Sequence, residues 1–341
     1  MNDISSILVT GGAGYVGSVL VTKLVELGYK VRVIDSLIYG NEGISKLISN
    51  NSIEMITEDL RNNVVLSSVV KNIDCVIHLA AIVGEPLCNK IPDAAYQINE
   101  IATKNLVSNA KKSGVKRFIF ASTCSNYGSS TEIVNEDSSL QPFSLYSKTK
   151  VNAEKFIINS KDDSFQPCVL RFSTAYGLSP RMRFDLLVQE FLRDALIEKK
   201  IRIFGADFWR PLINIEDMAN ACITVINGTT EQISGEIYNV GRDDENYTKM
   251  ELAKIIQTFI PSTEIEIIAS KKDPRNYKVS FEKIKRKLKF LTKNSVSDSI
   301  QQMISEVNSG RLDPRDTEFS NMAKLTENVK VVDGYNFRER L

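Results

Sequence analysis

The sequence predicts an α/β fold, a doubly wound parallel sheet followed by a smaller mixed α/β C-terminal lobe. Three observations carry that expectation. Short apolar runs alternate with helical patterns through the first half, a glycine-rich turn directly follows the first of these runs, and the elements become shorter and mixed after Arg171. Strands that stay apolar along their whole length, linked by crossover helices, belong to a sheet covered on both faces.

In chain order, strand-like runs fall at 6–10, 30–34, 53–57, 75–79, 116–122 and 167–172, with the clearest helical patterns at 92–113 and 143–159. In such sheets ligands collect beyond the carboxyl ends of the strands. That rule gathers Ala80, Ala81, Ile82, Ser122, Thr123 and Phe172 to Thr174 around one crevice, with Leu79 expected among the cofactor-binding residues. Residues 1–172 read as a nucleotide-binding domain and 173–341 as a lobe completing a pocket. A helix expected at 213–226, within the stretch 213–240, packs back on the first domain. A helix at 186–197, a strand at 201–204 and short elements near 238–240, 249–259, 264–268 and 296–307 fill the second lobe.

The first turn reads Gly11-Gly-Ala-Gly-Tyr-Val-Gly17, between a strand and a helix. Gly11 allows a tight turn, Gly14 admits a pyrophosphate close to the backbone, and Gly17 permits close helix packing; Tyr15 and Val16 open the helix, whose free N–H groups favour an anion. The second strand ends in Asp35, about 20 residues beyond the glycines, where a carboxylate accepts hydrogen bonds from ribose hydroxyls and repels an extra phosphate. NAD is therefore favoured over NADP, although Ser36 leaves room for some NADP.

Tyr146 and Lys150 lie four residues apart on a predicted helix, preceded by the hydroxyl-rich strand end Ser122-Thr-Cys-Ser125. Residues at i and i+4 share a helical face. A free phenol has a pKa of about 10, so the expectation is that the Lys150 ammonium sits beside the Tyr146 phenol and lowers it, making a proton-transfer device.

Composition narrows the function classes. A net charge of +1 in 341 residues argues against nucleic acid or a membrane surface as partner. The basic run 283–293 reads as the solvated face of a short helix. Five cysteines without metal-type spacing fit reduced thiols in a cytoplasmic chain, and neither a secretory segment nor a membrane-spanning apolar run is evident. No metal site is expected. The single histidine, His78, lies in a buried-strand pattern, which disfavours histidine triads and histidine-rich zinc sites.

Gly11–Gly17, Asp59-Leu60, His78-Leu-Ala-Ala81, Thr123 with Tyr127-Gly128, Tyr146 with Lys150, and Arg171-Phe-Ser-Thr-Ala-Tyr-Gly177 resemble the extended short-chain dehydrogenase/reductase family, the NAD-dependent nucleotide-sugar epimerases, dehydratases and dehydrogenases. The resemblance spans nearly the whole chain. It implies bound NAD, a nucleoside-diphosphate sugar as substrate and a homodimer formed through helices 92–113 and 143–159. It implies Thr123 as hydroxyl partner, Tyr146 as base and Lys150 as ribose ligand. By the same likeness Asp59 and Leu60 hold adenine, Asn99 supports the active-site end of its helix, and Val83, Cys124 and Ser125 shape the sugar pocket. Arg210 and Arg275 grip the diphosphate, with Arg183 beside them and Phe204 against the nucleotide base.

Departures from the family pattern restrict the reaction. Dehydratases of this family place an Asp-Glu pair where this chain has Cys124-Ser125, and decarboxylases commonly have a Glu there. Thr174 stands where many 4-epimerases carry Asn. Oxidation at the sugar C4 hydroxyl, in a 4-epimerase or 4-dehydrogenase, fits best. A dehydratase or decarboxylase is disfavoured, and a non-catalytic NAD-sensing scaffold is a further alternative.

Overall fold

The computed structural model describes residues 4–269 and 275–333. Seven parallel strands form the central sheet: β1 (Ser6–Thr10), β2 (Lys30–Asp35), β3 (Glu54–Thr57), β4 (Cys75–His78), β5 (Arg117–Thr123), β6 (Gln166–Phe172) and β7 (Glu236–Val240). Their order is β7-β6-β5-β4-β1-β2-β3, so the winding direction reverses between β1 and β4. The crevice lies beyond that reversal.

Period-two alternation sorts the strand residues onto the two faces. Ile7, Val9, Val33, Ile77, Ile119 and Leu170 enter one core cluster, while Leu8, Ile34, Val76, Phe118, Phe120 and Val169 enter the other. Each such aliphatic or aromatic side chain contributes roughly 1.5–3 kcal/mol by leaving water. Helices Tyr15–Glu26 and Ile215–Asn227 contact each other, with Leu20, Leu24, Ala219 and Val225 in the first core. Helices Thr103–Lys112 and Leu145–Asn159 close the opposite face through Leu106, Val107, Ala153 and Ile157.

Two expected helices differ in outline. The one expected at 92–113 is α-helical over Pro92–Tyr96, π-helical over Gln97–Ala102 and α-helical again over Thr103–Lys112. The π segment carries Asn99, whose amide accepts from Ile82 N at 2.8 Å and donates to Ile82 O at 2.9 Å. The helix expected from 213 begins at Ile215, because Ile213 and Asn214 complete the strand Trp209–Asn214 and the Asn214 side chain caps the helix through Glu216 N at 2.7 Å. Residues 236–240 join the central sheet as β7, parallel to β6.

Around this sheet the later chain builds smaller ones, with Lys200–Phe204 parallel to Glu264–Ile268, and Trp209–Asn214 between Thr174–Tyr176 and Asn246–Thr248. Part of the basic run 283–293 is used internally, since Lys283 and Lys287 both pair with Glu236 at 2.9 and 2.6 Å. The last described helix, Asn321–Asp333, crosses back to the first half. Leu325 and Val332 pack there with Ile82, Leu87, Ile91 and Ala95.

Candidate active site

One crevice runs past the carboxyl ends of β1, β2, β4, β5 and β6 and is closed on its far side by residues 173–186, 275–277 and Asn321. Its floor is the glycine turn. Gly11 has φ +73°, and a Cβ there would lie 2.8 Å from the backbone N and Cα of Ala80, so only glycine lets β1 turn this close to the end of β4. At Gly17 a Cβ would meet Gly11 O at 2.1 Å, whereas at Gly14 nothing is nearer than 3.3 Å. The helix Tyr15–Glu26 starts at Gly14 with no side-chain cap, leaving its first N–H groups to a ligand.

Asp35 ends β2. Its carboxylate accepts from Ala13 N at 3.0 Å and Leu37 N at 2.9 Å, which fixes it against the turn while it still faces the crevice. Burial raises its carboxyl above the usual range, offset by those two amides and by the charge of Arg181. Ser36, Glu58, Asp59 and Leu60 continue this end of the wall. The Asp59 side chain is engaged by Arg61 at 2.8 Å. A backbone cradle open at a helix start, with a fixed acid at the next strand end, fits the pyrophosphate and ribose of a dinucleotide.

The other end of the crevice lies where β5 meets the helix Leu145–Asn159. Ser144 caps this helix through a reciprocal capping box with Ser147, which sets Tyr146 in its first turn. Thr123 Oγ1 is 2.8 Å from Ser125 Oγ, and both line the crevice with Tyr146. Lys150 is 2% exposed, and its Nζ donates to Ala121 O at 2.8 Å. One turn further on, Glu154 accepts from the Ser122 hydroxyl and pairs with Arg171 at 2.7 Å, so this helix holds the end of β5 at two points.

The expected pairing of ammonium and phenol takes a different form. Lys150 Nζ lies 5.9 Å from the centre of the Tyr146 ring and is directed to a carbonyl. Burial raises the Tyr146 phenol, and the charges that offset it are Arg183 and Arg275. Burial also lowers Lys150 to about 8, against the raising effect of Cys88 and Glu154. Burial dominates the Tyr146 phenol, and the cations that act against it are the two arginines and not the lysine four residues on.

The crevice gathers most of the residues singled out in the sequence. Gly11, Gly14, Tyr15, Val16, Gly17, Leu79, Ala80, Ala81, Val83, Ser122, Phe172, Thr174, Arg183 and Arg275 all line it. Four residues do not, and the surroundings of each show where it is engaged. Cys124 turns into the core, 1% exposed, with its thiol donating to Arg171 O at 3.1 Å and pushed up to about 12 by burial. Phe204 is 48% exposed on the outward parity of its strand, where Ile201 and Ile203 take the inward positions. Arg210 donates to the carbonyls of Trp209 and Arg275 at 2.7 and 2.6 Å, so it holds the segment that presents Arg275. Asn99 braces the loop at Ile82 from behind.

Sequence reasoning passed over Tyr39, Glu58, Arg181, Tyr277 and Asn321, which also line the crevice. Arg181 had a signal, since Pro180-Arg-Met-Arg183 is a basic run in a polar loop; Asn321 arrives from a distant segment and had none. His78 is wholly buried between the hydroxyls of Thr10 and Thr103 at 2.7 and 2.8 Å, and burial lowers it to about 3. Among the described residues no group of His, Cys, Asp and Glu forms a metal-binding cluster, and no helix is long and apolar enough to cross a membrane.

The model of the NAD-dependent epimerase/dehydratase family matches residues 7–241. The chain belongs to that family. NAD is its cofactor, in keeping with the cradle described above. Over 318 residues it is 30% identical to the uncharacterized UDP-glucose epimerase YtcB of Bacillus subtilis (strain 168), covering 89% of this chain and 98% of that protein. It is 31% identical over 200 residues to a 3-beta-hydroxysteroid dehydrogenase of Mycolicibacterium neoaurum, a match spanning 56% of this chain and about half, 53%, of that protein. Among solved structures, the UDP-glucuronic acid 4-epimerase from Bacillus cereus, in complex with UDP-glucuronic acid and NAD, superposes with a TM-score of 0.80 at 26% identity, covering 89% of this chain and 99% of that one.

Proposed function

We propose that this family member oxidises the C4 hydroxyl of a nucleoside-diphosphate sugar to a 4-keto sugar, as a 4-epimerase or 4-dehydrogenase. One observation carries the reading. The Tyr146 phenol and the Thr123–Ser125 hydroxyl pair lie on one crevice between a dinucleotide cradle and the cations Arg183 and Arg275. Guanidinium groups suit a diphosphate, which they bind bidentately, and the relatives named for UDP-sugars agree.

When bound, NAD supplies the hydride acceptor and, in its oxidised form, a positive charge that favours a phenolate. As the phenolate, Tyr146 takes the C4 hydroxyl proton at its oxygen, and Thr123 orients that hydroxyl. Lys150 fixes the floor through Ala121 O. Arg183 and Arg275 pull the Tyr146 phenol down from the value burial gives it, so seating of the substrate and proton uptake are coupled. Among the described residues lining the crevice, the carboxylates are Asp35, Glu58 and Asp59, all at the ends of β2 and β3. Dehydration and decarboxylation chemistry that relies on a carboxylate after Thr123 therefore has no group there. We propose the two-lobe division 1–172 and 173–341, with 213–240 packing back on the first lobe, a homodimer and a cytoplasmic location as part of the same reading.

The test is a binding screen of UDP-, GDP-, CDP- and dTDP-sugars followed by mass spectrometry of products. A product of unchanged mass and inverted C4 identifies an epimerase, and one two hydrogens lighter a dehydrogenase. Loss of water or carbon dioxide, or tight binding with no reduction of NAD, contradicts the reading.

A further inference from the structure

Arg181 is 4% exposed, lines the crevice and, among the described residues, forms no ion pair. Asp185, the nearest carboxylate in its loop, is occupied by Arg183 at 2.8 Å. Arg181 Nε approaches Tyr39 O at 3.5 Å and Nη1 donates to Met182 O at 3.2 Å, whereas Nη2 has no partner. The guanidinium lies 5.2 Å from the centre of the Tyr39 ring, and the Tyr39 hydroxyl is buried without a partner as well. A buried cation beside a second cation, with donors unsatisfied, is costly unless an anion completes it.

The position of Arg181 says which anion. Its loop is fastened to the first turn of the helix Tyr15–Glu26: Ser179 Oγ donates to Tyr15 O at 2.7 Å and lies 3.0 Å from Ser18 Oγ. Opposite, a Cβ built on Gly43 would meet the Cβ atoms of both Arg181 and Ser18 at 2.9 Å, so Arg181 emerges beside the helix start. Its charge is also felt at Asp35. Arg181 thus sits between the amides that cradle a pyrophosphate and the acid that receives the ribose.

We infer that Arg181, with the Tyr39 hydroxyl, is a phosphate-binding site for the dinucleotide, a cation from the second half of the chain that clamps the pyrophosphate against the helix start. The cofactor's phosphates would then be held from two sides, by backbone N–H groups of one half and a guanidinium of the other. Helix Asn321–Asp333 roofs this clamp, with Asn328 Nδ2 donating to Ile38 O at 3.2 Å and the unpartnered amide oxygen of Asn321 lining the same crevice. The inference rests on NAD as cofactor and not on which sugar reacts.

The experiment measures dissociation of NAD from the purified protein by exchange against labelled NAD, and separately the affinities for NADP and UDP. Arg181→Gln is expected to speed NAD release by roughly 10- to 100-fold, the worth of a charge-assisted hydrogen bond. Tyr39→Phe, which keeps the ring and removes only the hydroxyl, is expected to speed it about 2- to 5-fold. UDP affinity should stay within about two-fold of wild type, since one neutral or remote change is worth little there. NAD release unchanged in both variants overturns the clamp. A loss confined to UDP would give Arg181 to the sugar nucleotide, and a loss confined to NADP would place it at a ribose 2′-phosphate; either overturns it too. Sugar turnover does not enter these readouts, so a wrong reaction and a wrong clamp are told apart.

Discussion

The crevice wall formed by the ends of β1, β2 and β4 presents chiefly backbone, a glycine turn and a fixed acid, whereas the wall built after Phe172 presents long side chains: Arg181, Arg183, Arg275 and Asn321. The first wall is part of the central sheet and shares its core through Ile7, Val9, Val33 and Ile77. The second is assembled from loops and held by hydrogen bonds such as Arg210 to Arg275 O. Damage to the first wall should therefore cost folding and cofactor together, while damage to the second should cost ligand affinity with little loss of stability. Tyr146 stands between them and should cost chemistry alone.

Tyr146→Phe has the largest expected effect, a fall in kcat of about 10²–10⁴ with NAD affinity unchanged, as for loss of a general base; steady-state kinetics with cofactor titration reads both. Gly17→Ala comes next. Its Cβ would meet a backbone oxygen that cannot rotate away, so thermal unfolding should show a loss of about 1–3 kcal/mol, with weakened NAD binding. If stability and NAD affinity separate there, the two walls are not distinguished as argued. Arg183→Ala should raise the Kd for the substrate nucleotide by about 10-fold or more and leave NAD binding near wild type, which calorimetry with UDP and NAD can check.

Two smaller effects sharpen the comparison. Burial holds Lys150 near 8, below its unfolded value of about 10.4. A lysine depressed in the folded state binds its proton more tightly when unfolded, so its share of stability rises with pH from about 8 to the unfolded value and is flat below. In Lys150→Met that rise should vanish, so wild-type stability should increase relative to the variant's over this window; parallel curves would show that Lys150 is not desolvated. Asp35→Asn should narrow the preference for NAD over NADP by about 1 kcal/mol, because one charged acceptor is lost while the amide can still cap Leu37.

The sheet and the backbone wall were legible because they obey short-range rules. Six strands fell within about a residue of expectation, since period-two burial and glycine spacing are written locally. The side-chain wall was legible only in part. Arg275 and Arg183 reach the crevice, but Arg210 and Phe204, equally plausible by residue type, do not, because strand parity and a carbonyl partner turn them elsewhere. Cys124 and Ser125 are neighbours on opposite sides of one short turn, a division no spacing rule specifies. The Tyr146–Lys150 pair shared a helix as expected, yet its electrostatics depended on burial, which the sequence does not express. Asn321 lies 136 positions beyond Asp185, to which its backbone bonds, so only the folded chain brings it in.

On the proposed reading, Tyr146 serves oxidation of a sugar C4–H bond in this crevice. Single-turnover absorbance of the bound nicotinamide, with the substrate identified in the screen labelled by deuterium at C4, tests it most directly. Reduction is expected to be slower for the deuterated sugar and abolished in Tyr146→Phe. Reduction at the same rate with either isotope and in the variant would contradict it.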